Sequence, residues 1–141
     1  MYELKFEDKV KVWKDLRDKL ESSKKPFDLL NKFLKDLPRS TRKTNAWDPN
    51  SVAEPWHLIE NSSFTAYEIA LLCAYTLQLT DRFSEAKVEI HISKDINKDE
   101  NMYLVYLDGS IVLGYNNEVF TGNSIPQSIV SQKVIQLPPL H

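Results

Sequence analysis

Three glycines and a single cysteine in 141 residues leave little material for two common kinds of machinery. A phosphate-cradling loop needs several glycines at fixed spacing, and neither such a loop nor a G-x-S-x-G elbow occurs. The lone Cys73 excludes an internal disulfide and any C-x-x-C site. No uninterrupted apolar run approaches the roughly 18 residues that cross a bilayer, and the opening M-Y-E-L-K-F-E-D-K is too charged for a secretory leader. These absences describe one domain, 1–141, in a cytoplasmic, reducing setting. With 42% hydrophobic and 11% aromatic residues it has the material for a core without staples.

What the chain does have is a strongly marked helix. In S-F-T-A-Y-E-I-A-L-L-C-A-Y-T-L-Q-L-T-D-R-F, residues 63–83, Thr65 and Glu68 form a capping box. From Ile69 to Leu79 only Tyr75, Thr76 and Gln78 are polar, so the helix has to be surrounded, and Cys73 within it reads as a small core residue. Before it, Phe6, Val10, Trp13, Leu16 and Leu20 recur at helical steps and predict a helix from Phe6 to Ser22. Pro26 opens a second helix, which carries Phe27, Leu30, Phe33, Leu34 and Leu37 and stops at Pro38, so that 1–37 forms a helical hairpin. An irregular connection, 38–62, includes a short helix with Ser51 and Glu54 as a second box and Trp56, Leu58 and Ile59 as anchors.

Beyond Phe83 the period changes to two. Val88, Ile90 and Ile92 alternate with Glu89, His91 and Ser93. M-Y-L-V-Y-L and S-I-V-L-G-Y flank Asp108-Gly109, which predicts a two-residue type I′ hairpin with Tyr106 facing Ile111, Leu104 facing Leu113 and Met102 facing Tyr115. Both faces of that hairpin are apolar: one suits the buried helix, and the other needs the N-terminal hairpin or a partner. N-S-I-P-Q-S-I-V-S-Q-K reads as a short capped helix and V-I-Q-L as an edge strand. The fold class is α+β, a helical hairpin and a central buried helix on an antiparallel sheet of three to four strands spanning 87–137.

Candidate chemistry is sparse. His57 and Glu60 lie one helical turn apart but lack the third ligand that a zinc site needs, so neither a catalytic nor a metal role is assigned and no cofactor is expected. Arg39, Arg42 and Lys43 near Trp47 could meet phosphate and a base, which keeps a nucleic-acid-associated factor as the alternative, with a hydrolase on His57 and Glu60 third. Tyr103, Tyr106 and Tyr115 lack the basic residues of an RNA-binding sheet and read as packing. The charge is uneven: residues 1–43 hold thirteen Lys and Arg against eight Asp and Glu, a net +5, and residues 44–141 are net −7. Glu89, Asp95, Asp99, Glu100, Asp108 and Glu118 make the sheet region a candidate surface for a basic protein partner.

The D-P-N-S-V-A-E-P-W-H-L-I-E segment followed by the buried helix, in a small acidic chain without catalytic residues, resembles the immunity proteins that bacteria pair with contact-dependent growth-inhibition toxins. The resemblance is to a class and carries no residue roles. It implies a cytoplasmic, non-catalytic inhibitor that binds one cognate toxin domain, often a nuclease.

Overall fold

Trp13, Leu16 and Leu20 point one stripe of α1 (Phe6–Ser22) inward, and the stripe has to be met by apolar surface from elsewhere. The computed structural model describes residues 5–40, 54–115 and 118–137. α1 packs on α2 (Pro26–Lys35), and both join α3 (Pro55–Glu60) and α4 (Ala66–Gln78) in one core with the sheet. Leu71, Leu72 and Leu77 of α4 are fully buried, as its lack of a polar face requires. Both halves of the capping box are made: Glu68 N donates to Thr65 Oγ1 at 3.2 Å and Thr65 N to Glu68 Oε1 at 2.9 Å.

α4 is shorter than its apolar sequence. Thr80 Oγ1 donates to Leu77 O at 2.7 Å, and the Glu21 carboxylate of α1 accepts the Asp81 and Arg82 amides at 2.8 and 2.9 Å. These competing partners turn the chain off the helix after Gln78. α3 begins at Pro55 with Glu54 as an N-cap lacking a side-chain bond, so Glu54 precedes the helix and does not take the N3 position that the Ser51–Glu54 box required; Ser51 lies outside the described residues. Leu58 and Ile59 anchor α3 as expected, whereas Trp56 is 45% exposed and meets Trp13 of the core edge-on.

The sheet has five strands rather than three to four: β1 (Val88–Asp95), β2 (Glu100–Leu107), β3 (Ile111–Tyr115), β4 (Glu118–Thr121) and β5 (Ile129–Gln136), in the order β4-β3-β2-β1-β5, all pairs antiparallel. Asp108 and Gly109 take the positive φ that their turn demands, 52° and 70°. The hairpin register nevertheless slips by one: Leu107, not Tyr106, lies opposite Ile111, and Tyr106 faces Val112. Ser110 is the extra residue, held by its amide on Leu107 O at 3.1 Å and by the Gly122 amide on its own carbonyl at 2.8 Å. A one-residue slip exchanges faces. Val105, Leu107 and Leu113 join the helix-covered core, while Tyr106 and Val112 lie on the other side.

The expected helix across 123–133 is also overturned. Only a single 3₁₀ turn, Gly122–Ser124, is helical there, and I-V-S-Q-K belongs to β5. Pro126 cannot donate to a helical ladder, and β1 offers the β-branched residues after it a strand to pair with. The N-terminal hairpin stands on the same sheet face as α4 and so leaves the opposite face to other elements. Leu104 and Val112 on that opposite face are fully buried. No described helix is long and apolar enough to cross a membrane.

Candidate functional site

Among the described residues β5 pairs with β1 and has no strand on its other side. An eight-residue edge presents a row of backbone donors and acceptors that can template an added strand. Five large apolar side chains are exposed among the described residues, and three of them lie on or beside this strand: Ile96 at 62%, Val130 at 43% and Val134 at 46%. Val130 lies opposite Lys94 and Val134 opposite His91, so the bulge between them leaves the two valines on opposite faces of the sheet along one edge. Ile96 N donates to Ser128 O at 2.9 Å, which places Ile96 beside the start of β5.

Next to Val134 the sheet carries a polar and aromatic group. The His91 ring stacks on Tyr106 with centroids 3.8 Å apart and planes 17° from parallel. Its Nδ1 is 2.7 Å from Ser131 Oγ of β5, and its Nε2 is 3.5 Å from Glu89 Oε1, too far for a hydrogen bond. Burial raises the Tyr106 phenol above its ordinary pKa. Glu, His and Ser are the residue types of an acyl-transfer triad, but here the serine meets Nδ1, where the orienting carboxylate belongs, and the carboxylate lies nearer Nε2. What the contact does is clamp β5 to β1.

The six acids assigned to a partner surface separate. Asp95 is only 5% exposed, and its carboxylate accepts the Asn97 and Lys98 amides at 3.0 and 3.3 Å, closing the β1–β2 turn. Asp99 stands out from that turn and holds Lys94 Nζ at 2.6 Å, a bond that keeps its carboxyl below the usual range. Glu100 is exposed opposite Asp95. Asp99 and Glu100 thus stand in and beside the turn that carries Ile96, and Glu89 adjoins His91. Asp108 is at the other end of the sheet, where its carboxylate accepts the Lys87 amide at 2.8 Å, and Glu118 is on the far edge strand, opposite Tyr115.

His57 and Glu60 are both exposed on α3, and no group of three potential metal ligands occurs among the described residues. Arg39 donates to Leu34 O at 3.2 Å; Arg42, Lys43 and Trp47 lie outside the described residues. Tyr103 is on the helix-covered face, 5.4 Å from Tyr67, whereas Tyr106 is on the opposite face and Tyr115 meets Phe120 edge-on. The three tyrosines therefore form no common platform.

No family model, curated protein or solved structure matches the chain. The functional reading rests on the surface itself. Sequence reasoning missed its most telling residues, Ile96, Val130, Val134 and Ser131, because their place along a sheet edge follows only once 129–136 is read as a strand beside β1. The β-branched Ile129, Val130, Val134 and Ile135 were the available signal.

Proposed function

We propose that this chain is a non-catalytic protein-binding module of the immunity-protein or antitoxin kind, which neutralises a basic bacterial toxin domain by receiving it along β5. The observation that supports the reading is the unpaired edge of β5, which carries the exposed Val130 and Val134 and has the exposed Ile96 and Glu100 in and beside the turn next to its start. An apolar centre with a charged rim is the usual anatomy of a specific interface, and main-chain pairing along an edge supplies affinity with little demand on side chains. The acids favour a basic partner and speed its approach.

The test is growth rescue. The chain is produced together with the product of the reading frame next to its gene, and binding of the purified pair is measured. Rescue with tight binding is expected, and Val130→Lys with Val134→Lys should weaken binding at least about tenfold by placing cations against a basic partner. Both positions are exposed, so the variant should melt with the parent. Absence of rescue and binding would refute the antitoxin reading; binding undiminished in the double variant would move the docking surface away from β5.

A further inference from the structure

On the helix-covered side of the sheet, a cleft of about 220 Å³ opens between α2, the first turns of α4 and the β2–β3 hairpin. Its accessible apolar lining is Ile69 of α4 and Met102 and Tyr103 of the sheet, over a base of Ala70, Cys73, Val105 and Leu113 that is at most 5% exposed. Lys35 and Arg39 supply charge to its lining, and Asn31 and Asn101 supply amides. No Asp or Glu is among the lining residues, although the whole chain carries a net charge of −2. One wall is kept low by Gly114, whose φ is 102° and where an added Cβ would lie 2.9 Å from Tyr103 O.

We infer that this cleft binds a small amphiphilic anion, a medium-chain carboxylate, with its tail on the apolar lining and its head between Lys35 and Arg39. The apolar lining alone would accept any hydrophobe; the two cations decide the sign of the head group. Arg39 is well placed for the task. Its backbone is fixed beside Phe64 by Ser40 N to Phe64 O at 2.8 Å and Phe64 N to Pro38 O at 2.9 Å. One guanidinium N–H is set on Leu34 O, and the planar fork has further donors for a carboxylate. The volume lies below the roughly 300–1,000 Å³ of sites for drug-sized molecules, which selects a short tail over a long one. The cleft is on the opposite side of the sheet from the His91–Tyr106 stack, so this inference stands apart from the docking proposal.

The experiment titrates the protein with sodium octanoate below its micelle concentration, with octyl glucoside and octyltrimethylammonium as neutral and cationic controls, followed by calorimetry and amide chemical shifts. Saturable one-to-one binding of octanoate is expected, about tenfold or more tighter than either control, the effect of one charge-assisted pair. Lys35→Gln with Arg39→Gln should erase that preference. Ala66→Trp, at an exposed position on the cleft lining, should weaken octanoate about tenfold or more with the melting temperature unchanged. Equal affinity for the three head groups, no saturable binding, or octanoate affinity unaltered by Ala66→Trp would overturn the inference.

Discussion

A buried polar side chain in the helical layer does work that its apolar neighbours cannot. Lys9, only 5% exposed, sends its ammonium to Glu60 O at 3.1 Å and Asn61 O at 3.2 Å, capping the end of α3 from a different helix. Lys9→Met keeps the stem and removes the donors, so it should cost about 1–3 kcal/mol in chemical denaturation, with α3 amides losing exchange protection first. Cys73 is the converse, a group that burial keeps neutral: its thiol is pushed up to about 12 from an ordinary 9.0. Above pH 9 the unfolded chain therefore releases a proton that the folded chain retains, so this contribution to stability is complete below pH 9 and declines as pH rises toward 12. Tyr75, pushed up to about 12 from 10.0 chiefly by burial, deepens the decline above pH 10. Cys73→Ala should lower stability by a constant amount but shrink the loss between pH 7 and pH 10 by roughly 1 kcal/mol, measured by urea unfolding at each pH. An unaltered pH profile would mean that the thiol is not shielded.

Among the elements, the helices were legible because their signals are local. α1 occupies the predicted Phe6–Ser22, and the Thr65–Glu68 box starts α4 where the sequence places it. The strands were legible only where their own alternation sufficed. β1 and the Asp108–Gly109 turn were readable, but the slip at Ser110 depends on a carbonyl taken by Gly122, and β5 depends on β1 as a partner. The candidate site suffered in the same way: acids can be seen in a sequence, but whether each is spent within its own turn cannot. Asp95 and Asp99 make that difference measurable. Asp95→Ala leaves the Asn97 and Lys98 amides without their acceptor and should cost about 1–3 kcal/mol. Asp99→Asn keeps a residue that tolerates the φ of 55° and loses only an exposed ion pair, so its melting temperature should match the parent's. Comparable losses in the two variants would contradict this division.

At the scale of the molecule, an edge that can receive a partner can also receive a second copy of itself. β5 carries a single charge, Lys133, near the middle of its length. A charge on an edge strand is a common guard against self-pairing. Lys133→Thr should therefore raise self-association, read by sedimentation across a concentration series; an unchanged sedimentation profile would show that Lys133 is no such guard. The order β4-β3-β2-β1-β5 also has a kinetic side. β1 gains β2 through a short turn, but its contacts with β5 join residues from Asp95 with Ile129 to Glu89 with Gln136, a far greater loop closure. The strand proposed to greet a partner is thus the one whose docking costs most chain entropy and whose loss leaves the β1–β4 meander with its internal ladders whole. Fluctuations of the native state should peel β5 away first, and for those moments the bare margin of the sheet would be β1, with its alternating Val88, Ile90 and Ile92.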